Sequence, residues 1–443
     1  MINYFLALQS AKLITLISKL IPSIGGTALP GLIALKLDPH FLSHFLAKHP
    51  IKPIVITGTN GKTTTSRLLS TILQTNQTLH IHNRTGSNLK RGVISTLISH
   101  HQLIKKNPQI TAILEIDEAA VSTTIKELQP IIILFTNLFR DQLDRYGEIN
   151  TILNTWKASL KYLPKSTKLI LNIDDPSLNY LASFFKNQSN LVTFGLPTFL
   201  STKSTPSHGA DAIFCPKCLS PLSFSHVFTS HLSHYQCPKC HFKRLKPIYT
   251  FTKKPTTNLI GLHNLYNILA ATSIAKILTI PSKTINQAIK NFKPAFGRGE
   301  SFKLGQLTTN ILLVKNPTGF NTTLETLKNK QLLNQHPLLL ILNDLIADGT
   351  DVSWIWDVDF KYLKSRKKPI IVSGLRANDL ALRLKIAGIS QKQIIIQPNL
   401  KKALKTLSQQ SPSPAHILPT YTAMLALREI LRKQKIIHST WKD

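Results

Sequence analysis

Acidic side chains are scarce in this chain. Its 443 residues carry 21 Asp and Glu against 54 Lys and Arg, a formal charge of +33. Most of those acids fall in three short stretches: Glu115 to Glu148, the pair Asp174 and Asp175, and Asp344 to Asp359. Where carboxylates are this few, their clusters are the first places to look for chemistry. Cysteine is scarcer still. Cys215, Cys218, Cys237 and Cys240 are the only four, in a CxxC-x18-CxxC pattern. That spacing predicts one tetrahedral thiolate zinc site, each CxxC turn supplying two ligands; two redox-active pairs are the rival. With all four on zinc, no cysteine is left to act as a nucleophile.

Long apolar runs are missing as well. The longest uncharged N-terminal run, Leu20 to Leu35, has 16 residues and is broken by Pro22, Gly25, Gly26, Pro30 and Gly31. That is too short and too interrupted to span a bilayer. No small-residue cleavage site follows a compact apolar core, so no signal peptide is expected, and the chain is placed in the cytoplasm. A hydrophobic content of 42% excludes global disorder. The length suits two to four domains, at roughly 150 residues each. The excess of base points to nucleic acid, an anionic membrane surface or anionic substrates. It also fits a proteome that favours Lys, which outnumbers Arg 42 to 12.

The pattern of apolar residues gives the fold class. Residues 1–50 read as an amphipathic helical segment. From Ile51, short apolar runs (KPIVIT, TAILEI, PIIILF, KLILNI) alternate with helical segments, which predicts an α/β unit with a mostly parallel sheet covered on both faces. Residues 205–250, rich in Ser, Thr, Pro, His and Lys around the cysteines, read as an inserted zinc ribbon within a central ATP-binding domain at 51–298. Four further apolar runs predict a smaller α/β domain at 299–443. The histidines near the cysteines (His208, His226, His231, His234 and His241) are expected to surround the zinc rather than ligate it.

The strongest motif is Thr57-Gly58-Thr59-Asn60-Gly61-Lys62-Thr63-Thr64, at a strand-to-helix junction. Backbone N–H groups of such a loop, and of the helix start behind it, bind phosphate oxygens. Lys62 adds a point charge and the Thr63 hydroxyl is a Mg²⁺ ligand. The chain departs from the general P-loop pattern, since Ile56 stands where the first glycine would be.

TGTNGKTT resembles the variant P-loop of the Mur ligase family, which joins amino acids to peptidoglycan precursors through an acyl phosphate. TNLFRDQLDRYG, LNIDDP, GLHNLYNILAA and FGRGE resemble further motifs of that family and occur in its order. The resemblance implies Glu115 as a Mg²⁺ ligand, Asn264 and Asn267 facing adenine, and Arg298 near the ATP phosphates. Gln142 stands where the family usually has a metal-binding histidine, which leaves a second Mg²⁺ in doubt. Lys157 and Lys161 are weak candidates for the family's carbamylated lysine.

The cysteine-rich insertion, KNPTGFN, DGTDVSWIWD, SGLRANDLALRL and LPTYTAML together resemble the MurT family, the ligase-like subunits of lipid II isoglutaminyl synthase. What this implies is ATP-dependent amidation of the D-glutamate α-carboxylate of lipid II. The ammonia would come from a separate class I glutaminase subunit, as GatD is in that family, in a heterodimer at the inner membrane face. An aspartate of the ligase subunit completes the partner's Cys–His pair by triad logic: Asp351, with Asp348 as the alternative and Asp357 a further candidate. Trp354 and Trp356 beside it are expected as core or interface anchors. Three rivals stay open: a Mur-like amino-acid ligase, a basic zinc-ribbon ATPase that binds nucleic acid, and a scaffold whose nucleotide site is vestigial. Against the second, the basic residues are dispersed, with no aromatic-interleaved stripe and no helicase-type motif.

Overall fold

The structure is a computed structural model that describes residues 2–20, 28–83, 88–141, 149–201, 203–207, 209–259, 261–293 and 298–437. Three helices come first, α1 (Ile2–Leu20), α2 (Leu29–Leu37) and α3 (Phe41–Lys48). The first sheet follows: β1 (Lys52–Thr57), α4 (Lys62–Thr75), β2 (His80–His82), α5 (Lys90–Ser99), α6 (His101–Lys106), β3 (Thr111–Glu115), α7 (Val121–Leu128) and β4 (Ile132–Phe135). It continues with α8 (Ile149–Ser159), β5 (Lys168–Asn172), α9 (Pro176–Ala182) and β6 (Leu191–Phe194). The strands are all parallel, in the order β2-β3-β1-β4-β5-β6.

Alternation along these strands splits the core in two. Val55, Leu114, Ile133 and Leu169 face one side, packing with α1, α3, α5 and α7 through Ala7, Phe45, Leu97 and Ile125. Ile54, Ile56, Ile113, Leu134 and Ile170 face the other, against Leu68, Leu69 and Ile72 of α4. On that side lie also α10 (Leu262–Ile277) and α11 (Ser282–Asn291). A strand with both faces buried has no room for polar residues, which is why these segments read as unbroken apolar runs.

Between β6 and α10 sits an antiparallel pair, β7 (Ser223–Thr229) and β8 (Leu232–Gln236), flanked by the two CxxC turns. It docks on the first sheet through a buried polar cluster. Asp174 accepts hydrogen bonds from Arg244 Nε (2.6 Å), the Tyr266 hydroxyl (2.7 Å) and Leu196 N (2.8 Å). Asp175 caps α9 by accepting from Ser177 N, with Pro176 in the first turn, and its other oxygen accepts from Leu138 N at 2.7 Å. Burial pushes the Asp174 carboxyl up, against the Arg244 charge. This acidic pair therefore anchors the fold and does not line the nucleotide loop.

The remaining elements are β9 (Arg298–Leu304), β10 (Leu307–Leu312), α12 (Pro317–Asn329), β11 (Leu338–Ile341), β12 (Ile370–Ser373), α13 (Ala377–Ile386), β13 (Ile394–Ile396), α14 (Leu400–Ser408), β14 (Ala415–Pro419) and α15 (Tyr421–Lys433). They form a second six-stranded sheet, β13-β12-β11-β14-β10-β9, parallel except for the β9–β10 hairpin. Its faces again carry separate clusters, Leu338, Leu340 and Val372 on one side, Leu339, Ile341 and Ile417 on the other. Among the described residues no helix is long and apolar enough to cross a membrane.

Candidate active site

In the first sheet the chain leaves β1 toward β2 on one side, while β4 leads to β5 and β6 on the other. The carboxyl ends of β1 and β4 are thus a topological switch point, the place where open α/β sheets bind ligands. The loop 58–61 lies there. Gly58 has φ +121°, and a Cβ on it would meet Thr136 Oγ1 at 2.3 Å. Gly61 has φ +90°, and a Cβ would meet Asn267 Oδ1 at 2.1 Å. Neither position admits a side chain. The loop is pinned from β4's end: Asn60 N donates to Asn137 Oδ1 (2.9 Å) and Thr136 Oγ1 donates to Asn60 O (2.8 Å). A cavity of about 570 Å³ bordered by His40, Ser43, Lys126 and Glu127 lies by contrast at the amino end of the sheet.

The charges converge behind this loop. Lys62 is buried, and its Nζ donates to Gly58 O (2.5 Å), Thr59 O (3.2 Å) and Glu118 Oε2 (2.7 Å). Burial works against its charge, but Glu118 and Asp117 outweigh that and hold the ammonium above the ordinary lysine range. The same pairing holds Glu118 below the usual carboxylate range in spite of its burial. Thr63 Oγ1 donates to Glu115 Oε1 at 3.0 Å. Glu115 is fixed at the end of β3 by Asn83, which accepts from its N–H and donates to its carbonyl, each at 2.8 Å. A hydroxyl and a carboxylate side by side at a phosphate loop are a hard-oxygen donor set of the kind Mg²⁺ takes.

The second sheet closes on the same place. At the β10–α12 junction Asn316 Nδ2 donates to Asn60 Oδ1 (3.1 Å), and Lys315 pairs with the buried Asp141. Arg140 ties three segments: it pairs with Asp211 of the insertion, donates to Gly209 O (3.1 Å) and reaches Asp357 Oδ2 at 3.2 Å.

The four cysteines come together. All their sulfurs lie within 4.8 Å of one another, with Cys215–Cys240 and Cys218–Cys237 at 3.5 Å. Four thiolates on a tetrahedral zinc would stand roughly 3.8 Å apart, so the set fits that ion. The two knuckles share one backbone form, each turning through a left-handed residue after its second cysteine, Leu219 (φ 61°) and His241 (φ 58°). His231 lies elsewhere, fully buried against Phe139 and Asp175.

Residues 56–215 match the Mur ligase middle domain and residues 313–424 the MurT ligase C-terminal family. The lipid II isoglutaminyl synthase (glutamine-hydrolyzing) subunit MurT of Streptococcus pneumoniae is 34% identical over 433 residues, 93% of this chain and 94% of that one. The chain belongs to the MurT family. The Staphylococcus aureus MurT subunit is 33% identical over 424 residues, 92% of this chain and 93% of that one. Among solved structures, a pseudomurein peptide ligase type C from Methanothermus fervidus shares the fold, with a TM-score of 0.66 and 22% identity over 88% of this chain and 80% of that one. MurF from Acinetobacter baumannii does so too, at 0.60 and 17% over 90% and 80%. As a MurT-family member the chain is an ATP-dependent carbon–nitrogen ligase with a Mur ligase-like α/β fold.

The structure assembles most of the residues that the glycine-loop motif and the Mur ligase resemblance single out. Gly58 to Thr64 form the loop and the first turn of α4, and Glu115 and Asn267 border it. Asn264 accepts from Asn267 Nδ2 at 3.1 Å. Arg298 opens β9, but its side chain lies outside the described residues, as do Gln142 and His208. Glu300, two positions beyond Arg298, pairs with Arg428 of α15. Lys157 and Lys161 lie over the Phe184 and Tyr162 rings, at 3.7 and 5.0 Å.

The two candidate aspartates part company. Asp351 is exposed and accepts from Ser353 N (2.7 Å) and Ser353 Oγ (2.8 Å). Asp348 is only 6% exposed and accepts from Thr422 N (2.8 Å) and the Thr422 hydroxyl. Its carboxyl is pushed up by burial, with the Thr422 bonds opposing. Asp357 is taken up by Arg140. Trp354 packs into the second sheet's core, whereas Trp356 is exposed beside Arg383. Sequence reasoning did not single out Glu118, Asn137 or Asp141 individually, nor the pairing of Lys315 with Asp141 and the reach of Asn316 to Asn60.

Proposed function

We propose that this chain is the synthetase subunit of a glutamine-dependent amidase that converts the D-glutamate α-carboxylate of lipid II to D-isoglutamine. One observation carries the reading. The buried Lys62 and the Thr63–Glu115 pair sit at a glycine loop that a MurT-type second sheet closes with Asn316. The carboxylate oxygen attacks the γ-phosphorus of ATP and ADP leaves. Ammonia then attacks the acyl carbon, phosphate departs, and the nitrogen sheds a proton.

The chain's own residues bind and orient. Loop N–H groups and Lys62 would hold phosphate oxygens; the resemblance assigns Asn264 and Asn267 to the adenine and Arg298 to the phosphates. Thr63 and Glu115 would hold Mg²⁺, which when bound neutralises charge on the transferred phosphoryl group. Cys215, Cys218, Cys237 and Cys240 would hold a structural zinc in a ribbon at 205–250, inserted in an ATP-binding domain at 51–298. Residues 1–50 and 299–443 make up the rest.

Because the four sulfurs belong to one cluster, glutamine hydrolysis falls to a second chain, a class I glutaminase whose histidine Asp351 orients. The exposure of Asp351 favours it over Asp348, whose oxygens are engaged with Thr422. The complex would work in the cytoplasm, at the inner membrane face where lipid II is found. The test is co-purification with a neighbouring glutaminase, then mass measurement of lipid II after incubation with ATP, Mg²⁺ and glutamine. Exchange of one hydroxyl for an amino group is expected. Addition of a whole amino acid would instead favour a Mur-type ligase, and absence of any product would refute the reading.

A further inference from the structure

Helix α1 turns its small side to the protein. Tyr4, Ala7, Leu8 and Ala11 are buried against α2, α3 and the first sheet. On the opposite side of the same helix lie Phe5, Leu6, Leu13, Leu16 and Ile17, each between 38 and 60% exposed. At 100° per residue these five fall on one face, with Gln9 the one polar residue among them. Leu37 at the end of α2 is exposed as well. Among the described residues nothing covers this apolar face, and an exposed apolar patch of this size marks a binding site.

The surrounding charge says what the face meets. Residues 1–114 contain twelve Lys and Arg and a single carboxylate, Asp38. Asp38 is buried and hydrogen-bonded to His44 at 2.7 Å, so its carboxyl does not lie on the exposed face. Lys12 of α1 lies within electrostatic reach of Lys105, and Lys48 stands over the Tyr4 ring. Both Lys48 and Lys105 are exposed. Glu127, which reaches α3 through Ser43, is itself paired with Lys90. An apolar helix face bordered by lysines and without exposed acid from its own segment suits an interface that is apolar inside and anionic at its rim. That describes the headgroup region of a bilayer rich in acidic phospholipid.

We infer that α1 lies along such a bilayer, burying Phe5, Leu6, Leu13, Leu16 and Ile17 among the acyl chains with Lys12 and Lys105 at the phosphates. The inference does not rest on the amidation reading, because it uses no residue of the nucleotide site. It does give part of the +33 charge a place to act.

The experiment is co-sedimentation of the full chain with vesicles of phosphatidylcholine alone or mixed with phosphatidylglycerol, at low and moderate salt. Binding to the mixed vesicles, weakened by salt and at least about tenfold stronger than to phosphatidylcholine, is expected. The double variant Leu13→Gln, Leu16→Gln, exposed positions both, should lose that binding and keep the melting temperature and nucleotide binding of the parent. Lys12→Gln with Lys105→Gln should weaken binding to the anionic vesicles alone. Equal binding by parent and double variant, or no binding by the parent, overturns the inference. So does concentration-dependent dimerisation that the Leu13, Leu16 variant abolishes, for the face would then be covered by a second copy.

Discussion

Asn316, at the start of α12, donates its side-chain amide to the Asn60 side-chain oxygen across 3.1 Å, while its own oxygen accepts from Gly319 N at 2.8 Å. One side chain thus caps a helix of the second sheet and holds the phosphate loop of the first. Asn316→Asp keeps the acceptor and loses the donor; Asn316→Ala loses both. The alanine variant should therefore drop in stability by about 1 kcal/mol, the worth of an N-cap. The aspartate variant should melt close to the parent. Both should raise KM for ATP, so a melting curve and a nucleotide titration on each separate the two roles.

Lys62 and Glu118 form an ion pair buried on both sides. Glu118→Gln leaves the ammonium with weaker compensation, and breaking such a pair costs about 3–5 kcal/mol. Phosphate oxygens can restore the missing negative charge. The rise in melting temperature on adding ATP and Mg²⁺ should accordingly be larger in the variant than in the parent. An equal rise in both would mean that Lys62 does not face the nucleotide.

Asp351→Asn removes an exposed charge and should leave the fold's stability unchanged. With the glutaminase partner present, it should abolish amidation driven by glutamine and spare amidation driven by free ammonia. Asp348→Ala should behave in the opposite way. It strips the Thr422 N–H in the first turn of α15 of its acceptor, lowering stability by about 1–2 kcal/mol, and affects both ammonia sources alike. Measuring the two nitrogen sources side by side checks both variants.

His416 on β14 is buried, and its pKa is pushed down from 6.5 to about 4 by desolvation, with His336 and Arg366 adding to the effect. The folded state holds it neutral while the unfolded chain takes up a proton. Its contribution is therefore fully present above pH 6.5 and is lost as the pH falls toward 4, by roughly 3 kcal/mol. His101 and His234 are shifted the same way. Urea denaturation across this range should show stability falling with acid, and His416→Leu should flatten the fall.

Much of this was legible because it is local. TGTNGKTT sits between one strand and one helix, whereas Glu115, 52 positions from Thr63, is marked only by the Mur ligase resemblance. The CxxC spacing likewise defines its cluster without reference to the remainder of the chain. Contacts that depend on distant segments were not legible. Asn137 reaches Asn60 across 77 positions and Asn316 reaches it across 256; the motifs TNLFRDQLDRYG and KNPTGFN contain the two asparagines, but nothing in either motif marks its partner. Asp348 and Asp351 share one loop, and only Thr422, 74 positions beyond Asp348, decides which of them turns inward. The acids at 174–175 misled for a related reason, since a clustered carboxylate can anchor a hairpin as readily as it serves a reaction.

Arg140 leads to a further consequence. Its guanidinium is shared among the segment just after β4, the cysteine-bearing insertion at Gly209 and Asp211, and Asp357 in the loop that follows Asp351. Mechanically this is a three-way joint. Moving any one of the three segments away breaks a contact to this guanidinium, which joins the segment after β4, where the loop is pinned, to the one that carries Asp351. The cysteine-bearing segment, which looks like an accessory in the linear chain, supplies Gly209 and Asp211 to this joint.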